Sequence, residues 1–293
     1  MPELPDIDVY VDVLNAKLGG QTLKAVRVSN PFLLRSVEPP LSTAANLTVD
    51  AVRRIGKRVA VGLSNDLWLV IHLMIAGRFQ WHDTPPALGA KNRIAAFDFE
   101  HGSLLLTEAG SKKRASLYLV EGIAALMRHD PGGIEPLECS LEAFQHALQL
   151  ENHTLKRTLT DPRLFSGIGN AYSDEILHAA KLSPIKLSQK LNDKQVIALY
   201  DATQKTLADW RQRLLDEAGG EIPKKVTAFR KEMNVHGRFR QPCPVCGKPV
   251  QRIRYKSNET NYCAGCQTDS RILKDRSLSR LLKEDWPKSL DEL

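Results

Sequence analysis

The chain has no apolar run long enough to cross a membrane and no charged-then-apolar leader at its start, so neither a spanning nor a secreted protein is expected. Its longest apolar stretch, Leu67–Ala76, is interrupted by His72 and reads as a buried strand. No internal repeat and no low-complexity tract is present, which sets aside solenoids and linker-like segments. Cysteine is scarce: there are five in 293 residues, and four of them fall in one array. A cytoplasmic location is expected, at the nucleoid or, in a eukaryotic cell, in the nucleus.

What is present describes an ordinary soluble protein. Hydrophobic residues make up 42% and charged residues 26%, and the length suits two domains. The formal net charge of +7 leans toward a polyanionic partner, although basic proteins of other kinds are common. The array Cys243, Cys246, Cys263 and Cys266 has C-x2-C spacing at both ends. In a reducing compartment that spacing indicates a structural zinc site, because four thiolates close a tetrahedral shell and leave no open position. Cys139 stands apart and reads as a small apolar residue.

Periodicity divides the chain. Ile7, Val11, Leu14 and Leu18 predict a helix over 6–18, stopped by Gly19-Gly20. From Thr22 to about Thr107 short β-branched runs follow one another, with Asn65-Asp66 and His101-Gly102 as hairpin turns. Beyond Pro131–Pro136 the texture is helical, over 141–150, 154–160, 171–180 and 193–218. The expected fold class is α+β: an N-terminal β-sandwich packed on one helix (1–130), a helical domain (137–235), a zinc finger (236–267) and an extension (268–293).

Three features could carry chemistry. Removal of Met1 would leave Pro2 with a free secondary amine beside the Glu3 carboxylate. A neutral amine can attack a carbonyl-like carbon and form an imine, with Glu3 moving the protons; a frayed terminus with a helix-entry proline is the plainer reading of these residues alone. Gly167-Ile168-Gly169-Asn170 sits between two helical segments, where backbone amides and Asn170 could hold a phosphate or the chain could simply turn a tight corner. Arg53-Arg54-Ile55-Gly56-Lys57-Arg58 suits a backbone phosphate, although a solvated strand edge is the more usual explanation. Lys112-Lys113-Arg114 reads as an exposed basic loop, and Arg252, Arg254 and Lys256 in the ribbon suit a DNA strand or the exposed face of a hairpin equally.

The Pro2-Glu3-Leu4-Pro5 start, Lys57, Gly167-Ile168-Gly169-Asn170 and the terminal four-cysteine ribbon occur together in an order and spacing that resemble the formamidopyrimidine-DNA glycosylase/endonuclease VIII family, to about Gln267. The resemblance implies a helix–two-turn–helix motif in the helical domain and a monomer acting on double-stranded DNA with damaged bases or abasic sites. It implies Pro2 as the nucleophile at C1′ of a flipped nucleotide, Glu3 as proton shuttle, and strand cleavage by β- or β,δ-elimination. Lys57, a catalytic-site lysine, and Asn170, with Gly169, match the family's phosphate contacts. One structural zinc ion and no catalytic metal are implied.

The chain departs from the family at four places. The finger arginine is replaced by Asn258, with Arg254 or Arg271 as candidate substitutes. Ile75 stands at the position of the wedge methionine, and the loop ending in Arg114 lacks the wedge phenylalanine. The segment Glu217–Met233 is short, which favours an oxidised pyrimidine such as 5-hydroxyuracil over strict 8-oxoguanine. The extension carries Leu273, Leu278, Leu281 and Leu282, which could dock a helix or fray. A non-catalytic sensor of damaged or abasic DNA on the same fold is the alternative reading.

Overall fold

The structure is a computed structural model that describes residues 1–223, 226–227, 229–255, 258–275, 279 and 283–292. The chain divides into two compact units, Met1–Pro131 with Trp210–Thr227, and Gly132–Asp209 with Ala228–Leu293. Among the described residues no helix is long and apolar enough to cross a membrane.

The first unit opens with α1 (Leu4–Leu18), which begins two residues before the expected start at Asp6. Glu3 is its N-cap, the Asp6 carboxylate accepts the Glu3 amide at 3.0 Å, and Pro5 lies in the first turn, where its missing N–H costs nothing. Eight antiparallel strands follow: β1 (Thr22–Val28), β2 (Leu47–Ile55), β3 (Arg58–Leu63), β4 (Leu67–His72), β5 (Gly77–His82), β6 (Arg93–Phe99), β7 (Gly102–Glu108) and β8 (Ser116–Glu121). Their order is β5-β7-β6-β1-β2-β3-β4-β8. The β1–β2 link spans only two residue pairs, so two four-stranded halves form a β-sandwich. Strand β8 departs from the sequence expectation, in which strands end at about Thr107 and a basic loop follows.

Leu4, Ile7, Leu14 and Leu18 are fully buried on α1, and Tyr10 meets Phe79 edge-on at 5.3 Å. Asn15 completes the junction like a strand partner: its Nδ2 donates to Val52 O at 2.8 Å and its Oδ1 accepts from Val52 N at 2.7 Å. Asn15→Ala leaves both backbone groups without these partners and is expected to lower unfolding stability by ~1–3 kcal/mol in urea titration. The far face of β3, β4 and β8 is covered by α2 (Ile123–Met127), where Leu126 joins Ile55, Ala60, Trp68 and Val70.

The second unit contains α3 (Leu141–Leu150), α4 (Leu155–Thr160), α5 (Asn170–Ala179) and the first part of α6 (Asp193–Ala218), followed by the ribbon strands β9 (Val250–Arg254) and β10 (Glu259–Cys263) and the short α7 (Ala264–Gln267). The extension does dock. Ile272 and Leu273 are buried against Ile253, Tyr262 and Ala264, with Trp286 and Leu290 beside them. The buried Asp275 carboxylate accepts the Arg254 amide at 2.6 Å. Leu278, Leu281 and Leu282 lie outside the described residues, as does Lys256.

Candidate active site and metal centre

In the first unit Pro2 and Glu3 are buried at the start of α1, Glu3 being 3% exposed. The amine at the chain start is held below its ordinary value, first by burial and then by Arg78 and Lys57, against the opposing pull of Glu3 and Asp6. Met1 carries that amine here and stands in for the Pro2 amine that its removal would expose. A desolvated amine among cations is neutral, hence nucleophilic, at lower pH than a free one. Arg78 went unnoticed in the sequence, where it is one arginine in a strand.

The basic run around Lys57 is mostly occupied within the unit. Arg54 Nε meets Asp8 Oδ1 at 2.6 Å, Arg58 donates to His129 O at 3.0 Å, and Arg53 lies over the Trp68 ring at 5.2 Å. Gly56, at φ +56°, and the half-buried Lys57 form the two-residue turn between β2 and β3.

The turn from β4 to β5 presents Ile75, 57% exposed. Burial, then Arg58 and Lys57, hold His72 down at about 4. Its imidazole is therefore neutral near pH 7, and its Nδ1 accepts the Met74 amide at 2.9 Å. Met74 takes a left-handed φ of +52°, and a Cβ on Gly77 would lie 2.3 Å from Leu73 O, so glycine is required there. The loop after β7 is drawn together by Glu108, whose buried carboxylate accepts the amides of Arg114 and Ala115. Lys112 and Arg114 remain exposed, and no aromatic side chain occupies that loop.

In the second unit the turn Gly167-Ile168-Gly169 leads into α5, with Gly169 as N-cap and Asn170 half-buried as the first helical residue. Asn170 Nδ2 donates to Glu259 O at 3.0 Å. Lys156 on α4 reaches Asn170 O at 2.6 Å and Asp174 Oδ1 at 2.5 Å. Asp174 Oδ2 also lies 2.8 Å from His236 Nδ1 and accepts the Asn261 amide at 3.1 Å. The neighbouring Glu175, 1% exposed, accepts from the amides of Asn234, Val235 and His236 and from Asn234 Nδ2. Glu175→Ala strips all four donors of their acceptor inside the fold. A loss of ~3–5 kcal/mol in urea unfolding is expected, from several buried donors left without an acceptor at ~1–3 kcal/mol each at most.

The ribbon brings the four cysteines together. Cys243 and Cys246 occupy a tight turn, with Gly247 N donating to Cys243 O, while Cys263 ends β10 and Cys266 lies in α7. Cys246 Sγ is 3.3 Å from Cys263 Sγ, and Cys243 Sγ is 3.9 Å from Cys266 Sγ. Zinc–sulfur bonds of about 2.3 Å in a tetrahedron place sulfurs about 3.8 Å apart, so the cluster fits a metal ion. Burial and the neighbouring sulfurs push Cys263 up to about 11 and Cys266 higher still. Cys246 moves the other way: against its own desolvation, the Lys248 backbone and the neighbouring sulfurs draw its thiol down. Arg254 and Asn258 are exposed at the hairpin tip, and Arg271 is exposed in the extension.

Profiles for the formamidopyrimidine-DNA glycosylase N-terminal domain and the formamidopyrimidine-DNA glycosylase H2TH domain match residues 1–111 and 133–210. The formamidopyrimidine-DNA glycosylase of Laribacter hongkongensis (strain HLHK9) is 31% identical over 281 residues, covering 91% of this chain and all of its own. The crystal structure of the MutM (Fpg) protein from Thermus thermophilus has a TM-score of 0.75 at 28% identity, covering 91% of this chain and 98% of its own. A complex of Lactococcus lactis Fpg with abasic-site DNA shares the fold, with a TM-score of 0.78 at 22% identity, covering 91% of this chain and 99% of its own. The chain belongs to the formamidopyrimidine-DNA glycosylase family.

Proposed function

We propose that this protein is a bifunctional DNA glycosylase and abasic-site lyase of base-excision repair. The observation that carries this reading is the buried Pro2-Glu3 start of α1, with the chain-start amine among Glu3, Asp6, Lys57 and Arg78, in a chain of this family. Once Met1 is removed, the Pro2 nitrogen lone pair attacks C1′ of a flipped nucleotide and the C1′–N glycosidic bond breaks, releasing the base. Opening of the sugar ring, with Glu3 protonating O4′, gives an iminium ion. That cation acidifies the C2′ hydrogen; its loss expels the 3′ phosphate by β-elimination, and a second elimination can follow at the 5′ side. Water then hydrolyses the iminium and frees Pro2.

Lys57 and Asn170 hold backbone phosphates in this reading, Lys57 from the β2–β3 turn and Asn170, with Gly169, from the N-terminus of α5. Ile75 is the apolar side chain that enters the void left by flipping. Arg114 and Arg254 supply phosphate contacts, and Asn258 contributes a hydrogen bond without charge. Zinc in the Cys243, Cys246, Cys263 and Cys266 shell fixes the ribbon's shape and takes no part in the reaction. The protein acts as a monomer, and its preferred substrate is an oxidised pyrimidine such as 5-hydroxyuracil.

Excision assays on duplexes carrying 5-hydroxyuracil, 8-oxoguanine or an abasic site test this directly. Faster release at 5-hydroxyuracil with coupled strand cleavage is expected. Preference for 8-oxoguanine would overturn the substrate assignment. Tight binding with no cleavage of any duplex would leave the non-catalytic sensor.

A further inference from the structure

We infer that His178 is a positioning residue of the metal centre, donating a hydrogen bond from Nε2–H to the metal-bound thiolate of Cys243. The inference rests on the zinc reading of the four-cysteine cluster. His178 lies in the last turn of α5, is 4% exposed, and brings Nε2 to 3.3 Å from Cys243 Sγ. That nitrogen and the sulfurs of Cys243, Cys263 and Cys266 all fall within 4.8 Å of one another. A nitrogen so close could be a ligand, but Cys246 lies 3.3 Å from Cys263 and completes the four-sulfur shell. A tetrahedral zinc ion has no fifth place for it. A coordinated thiolate has no proton and can only accept, so the imidazole must donate.

Helical geometry explains why His178 occupies this position. Asn170, Asp174 and His178 are four residues apart in turn and share one face of α5. Asn170 holds β10 through Glu259 O, and Asp174 holds it through the Asn261 amide. His178 extends the same face to the first cysteine turn. Four thiolates around Zn²⁺ leave a net charge of −2 in a partly buried shell, and a donated hydrogen bond disperses part of it. Outer partners of this kind typically change metal affinity by about 10- to 100-fold.

The test uses full-length, zinc-loaded protein. His178→Phe keeps the ring and removes the donor; zinc transfer to a chelator should accelerate by about 10- to 100-fold. In cobalt-substituted protein the same variant should shift the thiolate-to-metal charge-transfer band to lower energy, because the sulfur lone pair loses its hydrogen bond. The nitrogen shifts of the His178 ring in zinc-loaded wild-type protein should report an Nε2–H tautomer, a readout that needs no variant to fold. Wild-type rates and an unmoved band in His178→Phe, or an Nδ1–H tautomer in the wild type, would overturn the inference alone. A zinc-edge absorption spectrum fitted by three sulfurs and one nitrogen would overturn it in favour of direct ligation. Wild-type protein that holds no stoichiometric zinc would overturn the metal assignment, and the inference with it.

Discussion

Protein that retains Met1 is expected to lose base excision and strand cleavage together, by about 10,000-fold or more, while still binding damaged duplex. With Met1 in place the Pro2 nitrogen is a tertiary amide, its lone pair is delocalised, and it cannot attack C1′. The paired variant is Glu3→Gln, which keeps the shape of the α1 N-cap and removes the proton carrier. A fall of about 100- to 10,000-fold in turnover is expected, the usual contribution of a general acid–base group. The pH profile carries a further sign. Because burial, Arg78 and Lys57 hold the chain-start amine below its ordinary value, the acid limb of activity should lie below the ordinary α-amine value of about 8. Removing the cation in Arg78→Gln should move that limb upward, whereas a limb already at or above about 8 in the wild type would contradict the picture of a desolvated amine.

If the four-cysteine shell holds zinc as proposed, stripping it with a chelator, or replacing the buried Cys263 in Cys263→Ser, is expected to unfold the ribbon and weaken DNA binding without touching the Pro2-Glu3 site. Structural zinc in small fingers contributes ~10–16 kcal/mol of apparent free energy, as much as the whole stability of a typical domain. With the shell broken, β9 and β10 keep a five-residue ladder, the docked Ile272 and Leu273, and a few hydrogen bonds to Asn170, Asp174 and Asp275. Arg254 and Asn258 at the hairpin tip then lose their fixed positions. Metal analysis should show no stoichiometric zinc. The salt dependence of DNA binding should become shallower by about one unit if Arg254 contacts a phosphate, since each neutralised phosphate contributes about 0.9 to the slope. Full affinity and an unchanged slope after zinc removal would mean that the ribbon lies outside the DNA interface.

Much of this architecture is legible in the chain because local signals and tertiary structure agree. The four-cysteine spacing shows where four sulfurs converge, and Asn65-Asp66 marks a hairpin whose two residues do take positive φ. Helices α3 and α6 fall on the expected bounds, 141–150 and 193–218. Strands β4, β6 and β7 are buried almost throughout, so alternation is weak in them and continuous apolar runs are the better guide. Strand β8 is concealed in the sequence although Leu117 and Leu119 alternate with half-buried neighbours, because the basic loop before it dominates the local composition. The start of α1 was placed late because its cap is a glutamate, outside the usual set of serine, threonine, aspartate and asparagine.

The parts of the site that the sequence concealed are those assembled across long separations. Arg78 faces the chain start from the strand after the Ile75 turn, and nothing in its local sequence distinguishes it from a solvated arginine. His178 reads as an ordinary helical residue until Cys243, 65 residues away, is brought against it. The one available signal was spacing: Asn170, Asp174 and His178 follow one another at helical intervals, and the sequence had already singled out the first of them. In the extension, burial of Ile272 and Leu273 and the Asp275–Arg254 contact depend on the ribbon being folded, which apolar content alone could not show.

The proposed reaction turns on a covalent bond between DNA and the second residue of the chain. Untagged protein, checked by mass for loss of Met1, would be mixed with duplex carrying 5-hydroxyuracil or an abasic site, reduced with borohydride, and digested for peptide mapping. A stable adduct is expected on the peptide beginning at Pro2, absent when Met1 is retained. An adduct on a lysine such as Lys57, or no adduct while cleavage proceeds, would contradict it.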